Sequence, residues 1–181
     1  MYWKPPHPDR ILDVNKVDLP IKDIFKEAAT LNISQHDPDF PWCDSFLIYR
    51  KRSSSPTYDT SFPPWWENKH SALKAVEQFG KRFGYKSCRQ IMINHWTEKS
   101  IMVPRKVCCL NFVLSGTGRV ATNKEQKGLI HQIELNYFAS KHSVNVNELS
   151  SGRGMATGNK WWHMVQAEPG STTLHIWYEP N

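Results

Sequence analysis

The sequence predicts a mostly β, α+β domain: an antiparallel barrel or jelly roll with two helices packed outside. Three observations lead there. From Ser87 onward the chain breaks into short segments of period-2 or continuous apolar character. Gly- and Pro-bearing turns separate those segments at close intervals. The two stretches with helical spacing both lie ahead of them, which is the order expected when helices cover the outside of an antiparallel sheet.

Residues 1–20 read as an extended arm, interrupted at Pro5, Pro6, Pro8 and Pro20. Residues 21–181 then form one domain, helical and loop-rich over 21–86 and a β-barrel core over 87–179. Ile21, Ile24, Phe25, Ala28 and Ala29 have the i, i+3, i+4 spacing of an amphipathic helix that Asn32 ends. Phe46–Tyr49 is a short strand, and 51–64 is a polar, Pro-containing loop. Trp66, Ala72, Leu73, Val76 and Phe79 share one face of a second helix, stopped by Gly80.

In the strand-rich part, Gln90–Trp96 alternates Ile91, Ile93 and His95 against Met92, Asn94 and Trp96. Val107–Ser115 is nearly all apolar, as a strand covered on both faces would be. Ser115-Gly116-Thr117-Gly118 turns the chain into Arg119–Thr122. Leu129–Phe138 and Ser143–Leu149 are further strands. Trp161–Gln166 and Thr172–Tyr178 flank Glu168-Pro169-Gly170-Ser171, with Pro and Gly where a type II turn needs them.

Composition narrows the function. With 181 residues the chain is long enough for a substantial core. No stretch approaches the ~18 consecutive apolar residues of a membrane span, so no membrane association is expected. Met1-Tyr2-Trp3-Lys4-Pro5-Pro6 lacks the apolar segment of a secretory signal, which points to a cytoplasmic chain. Cys43, Cys88, Cys108 and Cys109 contain no C-x-x-C pair, so buried reduced thiols are expected rather than a zinc ribbon. The 23 Lys+Arg against 17 Asp+Glu give a net charge of +6. The longest basic clusters are Arg50-Lys51-Arg52 and Lys81-Arg82, which permit weak, salt-sensitive nucleic-acid contacts without a base-reading element. A basic nucleic-acid-binding α+β domain is accordingly the competing architecture. No G-x-S-x-G elbow or G-x-x-x-x-G-K-[ST] phosphate loop occurs. Gly152-Arg153-Gly154 reads as an ordinary turn.

Three stretches carry a resemblance. They are Arg89–Trp96 with the turn Thr97–Ser100; Val107-Cys108-Cys109-Leu110-Asn111-Phe112-Val113-Leu114; and Trp162-His163-Met164-Val165 followed by Leu174-His175-Ile176. Together they resemble the double-stranded β-helix of the cupin and 2-oxoglutarate/Fe(II) oxygenase superfamily, especially phage aspartyl/asparaginyl hydroxylase-like members. The resemblance covers about residues 88–179. It implies a facial triad of two His and one carboxylate with open metal positions for cosubstrate and oxygen. His163 matches the distal histidine. The His-x-Asp position falls at Ile101–Lys106, which holds neither His nor carboxylate, and Thr172-Thr173 stands where the cosubstrate Arg would be.

The resemblance therefore implies a non-catalytic relative used for binding or assembly, plausible for a phage protein in host cytoplasm or virion, with no cofactor and with a protein partner or self-association. The alternative is an Fe(II)- and 2-oxoglutarate-dependent oxygenase with a rearranged metal site of His95, Glu98 and His163. Alternation expects His95 and His163 both to point into the barrel. Trp161, Trp162, His175 and Arg119 are the candidate binding residues.

Overall fold

The computed structural model describes residues 11–17, 19, 43–51, 69–97, 105–106, 108–123, 145–157 and 162–179. The strands are β1 (Ile11–Asp13), β2 (Cys43–Arg50), β3 (Cys88–Trp96), β4 (Arg105–Lys106), β5 (Cys108–Ser115), β6 (Thr117–Asn123), β7 (Asn145–Ser150), β8 (Arg153–Ala156), β9 (Trp162–Ala167) and β10 (Thr172–Tyr178). Helix α1 spans Lys69–Lys81. The expected helix over 21–29, the expected strand over 129–138, and Trp65, Trp66 and Trp161 lie outside the described residues, as does nearly all of the 51–64 loop.

Two antiparallel sheets result. The larger has the order β1-β8-β5-β10-β3-β2, the smaller β4-β9-β6-β7. From β3 onward the chain crosses repeatedly between them, so strands close in sequence seldom share a sheet. This is the jelly-roll arrangement expected from the strand-rich sequence. The turn expected at Pro169-Gly170 forms, with Gly170 at φ 86 and the Ser171 amide donating to the Glu168 carbonyl at 3.0 Å. The strands on either side of it do not pair as a hairpin: β9 pairs with β4 and β6 and β10 with β3 and β5, so the turn carries the chain from the smaller sheet to the larger. A positive φ at the third turn position is what the type II turn demands of glycine.

The larger sheet is covered on both faces. On its outer face Ile91, Ile93, Leu110, Phe112, Leu174, Ile176 and Tyr178 pack with Ala72, Val76, Phe79 and Phe83 of α1 and the turn after it. Its inner face and that of the smaller sheet enclose Trp96, Val113, Val120, Leu149, Met155, Val165 and Ala167. No helix among the described residues is long and apolar enough to cross a membrane.

Several local expectations change. Gly80 does not stop α1. It lies within the helix, where an added Cβ would sit 2.3 Å from the Tyr178 ring, so its role is close helix–sheet approach. The helix gives way instead to a turn containing Gly84 at φ 77. Part of the N-terminal arm is a strand, because Ile11–Asp13 pairs with Met155–Arg153 and Asp13 meets Arg153 at 3.1 Å. Arg153-Gly154 opens β8 rather than forming a simple turn; Gly154 is needed there because a Cβ would come within 2.2 Å of Phe112. The short β4 carries no periodic signal and was not expected.

Candidate functional site

Alternation along β10 turns Thr173 and His175 inward while Leu174 and Ile176 enter the helix-side core. On β5 the same alternation turns Cys109 and Asn111 inward, and register sets Asn111 opposite His175. Trp96 of β3 lies in the inner cluster.

These residues form one hydrogen-bonded chain. The Trp96 indole Nε1–H donates to Thr173 Oγ1 at 2.8 Å. Indole nitrogen only donates, so the Thr173 hydroxyl proton is available to His175 Nε2, 2.7 Å away. His175 Nδ1 carries the other proton and donates to Asn111 Oδ1 at 2.8 Å. The Cys109 thiol donates to the same oxygen at 3.2 Å. Every donor direction is consistent with a neutral imidazole. Burial, and to a lesser degree the nearby His163, lowers the His175 pKa to about 3. Burial likewise pushes the Cys109 thiol well above its ordinary value, so it is no thiolate nucleophile. One polar atom in this cluster is left over: Asn111 Nδ2 is buried and has no hydrogen-bond partner among the described residues.

His163 is on β9, buried, with Val165 and Ala167 of its own face in the inner cluster. It is therefore inward, as expected, and close enough to His175 to influence it. His95 does not join them. It shares a face with Ile91 and Ile93, and that face is the one packed toward α1. Its Nδ1 pairs with Thr172 Oγ1 at 2.9 Å, the residue opposite it in register. The expectation that His95 and His163 line one interior is corrected: they lie on opposite sides of the barrel wall. Glu98 lies outside the described residues.

Among the described residues the donor set does not make a 2-His-1-carboxylate iron site. Both ring nitrogens of His175 are committed, His95 faces away, and the β4 residue opposite His163 is Arg105. Among the described residues no three His, Cys, Asp or Glu side chains converge to hold a metal. Thr172 and Thr173, at the position where the resemblance calls for a cosubstrate Arg, bond to His95 and to the Trp96–His175 chain.

Arg119 lies elsewhere. On the outer face of the smaller sheet it faces Glu148 across β7 and Gln166 across β9, and its Nη2 donates to Gln166 Oε1 at 2.6 Å. With Thr117, Ser150 and Glu168 these residues border a polar hollow of about 480 Å³. That hollow is separated from the His175 cluster by the sheet. Trp162 starts β9 opposite Asn123 and Lys106.

No protein-family model matches the chain, and no curated protein matches it. Solved structures do. The chain is similar to a 2OG-Fe(II) oxygenase-family oxidoreductase from Burkholderia pseudomallei, at 15% identity and TM-score 0.61 over 88% of this chain and 78% of that one. It is more distantly similar to the ribosomal oxygenase YcfD from Escherichia coli, at 12% identity and TM-score 0.46, spanning 50% of that protein. Oxalate decarboxylase from Bacillus subtilis follows, at 14% identity and TM-score 0.35 over 50% of this chain and 21% of that one. At 15% identity the first likeness is one of fold alone: the chain shares its jelly-roll architecture with that structure.

Proposed function

We propose that the chain is a non-catalytic cupin-like domain, used for binding or assembly, on the scaffold that Fe(II)/2-oxoglutarate oxygenases use for chemistry. The observation that carries this reading is the state of His175. Its two ring nitrogens are bound by Thr173 and Asn111, and burial keeps it neutral. A histidine so tied offers no lone pair to a metal. Arg105, opposite His163, puts a cationic residue type in the stretch where the oxygenase pattern has a carboxylate. The interior instead offers the Asn111 Nδ2 donor, which suits a ligand atom that accepts a hydrogen bond, such as a carbonyl or carboxylate oxygen. The strand texts that resemble phage hydroxylases support a phage source, with host cytoplasm or virion as the location.

Metal analysis of protein purified without chelator tests the reading. The expected result is no stoichiometric iron, and no change in bound metal in His163→Ala. Stoichiometric iron that disappears in His163→Ala would overturn it in favour of an oxygenase with a rearranged site.

A further inference from the structure

Cations scattered through the sequence are gathered at one end of the larger sheet. The start of β3, the end of β2, the end of β10 and the C-terminal end of α1 meet there. The Lys51 amide donates to the Arg89 carbonyl at 2.8 Å, the Lys86 amide to the Glu179 carbonyl at 3.1 Å, and the Cys88 amide to Glu77 Oε1 at 3.2 Å. Arg50, Lys81, Arg82, Lys86 and Arg89 are exposed on this rim, and Lys74 is exposed two turns back along α1. A bulge in β3 opposite Trp177 and Tyr178 takes Arg89 out of the ladder register. The two carboxylates among them are already engaged: Glu77 by the Cys88 amide, and Glu179 by Ser87 at 2.7 Å and Lys51 at 3.5 Å. Elsewhere the exposed charge is mixed: Asp13 pairs with Arg153, and Glu148 and Glu168 flank Arg119.

Two guanidiniums are held in place. Arg50 Nε donates to Gln90 Oε1 at 3.2 Å, and the Arg82 guanidinium sits 5.4 Å from the Phe79 ring centroid. Ordering them before a partner arrives reduces the entropy lost on binding. The helix macrodipole accounts for Lys81, in the last turn of α1, and Arg82, directly after it. It does not account for Arg50, Lys86 and Arg89, which lie on strands or beside them.

We infer that this rim binds the phosphate backbone of a nucleic acid. The choice over an acidic protein or a lipid surface rests on what the rim lacks. The exposed large hydrophobic side chains among the described residues are Ile11 and Val146, both on other elements. Protein interfaces need an apolar centre, and amphipathic membrane attachment needs apolar anchors. A surface whose described residues offer clustered positive charge suits a partner bound through counterion release. The inference stands apart from the proposal about the barrel interior, and metal content does not bear on it.

The test is fluorescence anisotropy with a labelled mixed-sequence RNA of about 20 nucleotides. These six cations predict a slope of log affinity against log salt near −4, hence roughly a hundredfold loss or more from 50 to 200 mM salt. Lys74→Gln/Lys81→Gln/Lys86→Gln, all at exposed positions, is expected to keep the wild-type melting temperature. It should reduce the slope by about 2 and weaken binding at low salt more than tenfold. Lys16→Gln, in the turn after β1, should change nothing. Absence of RNA binding at 50 mM salt, or an unaltered slope in the triple variant, would overturn the inference. So would equal or tighter binding to a polyglutamate peptide or to phosphatidylserine vesicles.

Discussion

At the scale of single residues, His175 controls how the fold responds to acid. Its folded pKa of about 3 lies below the ordinary 6.5, so the folded state resists a proton that the unfolded chain accepts. Stability from this group is therefore fully present above pH 6.5 and declines as pH falls toward 3. The linkage slope for one proton is about 1.4 kcal/mol per pH unit. Urea midpoints should stay level from pH 7.5 to 6.5 and decline from there to pH 4, and His175→Gln should flatten that decline. If the variant does not fold, imidazole nitrogen shifts of the native protein serve instead, since His175 should show no titration down to pH 4. Glu179 works in the same direction at lower pH: the bond from Ser87 holds its pKa low, so its small contribution is present above the ordinary carboxylate range and lost as pH falls below it. The sequence marked His163 and His175 but not their neighbours. Thr173 is within two residues of His175, yet Trp96 and Asn111 are brought in only by strand pairing, from 77 and 64 positions away. His95 was misplaced for a different reason. Alternation correctly grouped it with Ile91 and Ile93, but β3 is buried on both faces, and nothing in a doubly apolar strand tells which side is the interior.

At the scale of elements, the contact that seats α1 on the sheet is made by Gly80 and Tyr178. The Tyr178 hydroxyl donates to the Val76 carbonyl at 2.7 Å, and the ring lies directly over Gly80. Alanine is the better helix former by about 1 kcal/mol, yet its methyl would intrude on the ring. Gly80→Ala should therefore destabilise the protein by about 1–3 kcal/mol in chemical denaturation, the cost of overpacking. A stabilised variant would show that the ring moves aside freely. The turn at Pro169-Gly170 and the apolar strands were legible because turn chemistry and burial leave local marks. β1, β4 and β8 were not: they have three, two and four residues. Segments that short are strands only because a neighbouring ladder recruits them.

At the scale of the whole molecule, Cys88, Cys108 and Cys109 are buried among the sheets, and burial pushes the Cys88 thiol up. Their reaction with a thiol reagent should wait for global unfolding and follow the unfolding rate as denaturant is raised. Fast labelling of any of the three in native buffer would show local opening of β3 or β5. The barrel class was readable from the density of strands and turns, whereas the gathering of Arg50, Lys81, Arg82, Lys86 and Arg89 on one rim was not. The clusters Arg50-Lys51-Arg52 and Lys81-Arg82 mark parts of it in the sequence, but three-dimensional pairing brings Arg50, Lys81 and Arg82 together with Lys86 and Arg89.

The place of β10 between β3 and β5 also has a consequence in time. During synthesis β3 and β5 emerge early but cannot pair with each other, because the strand that joins them is made about 60 residues after β5. At 5–20 residues per second, two apolar strand edges wait roughly 3–12 s for their common partner. The nascent chain is most vulnerable to misassociation during that interval. A ribosome that pauses before residue 172 would lengthen the exposure, and a holdase that covers β5 would shorten it.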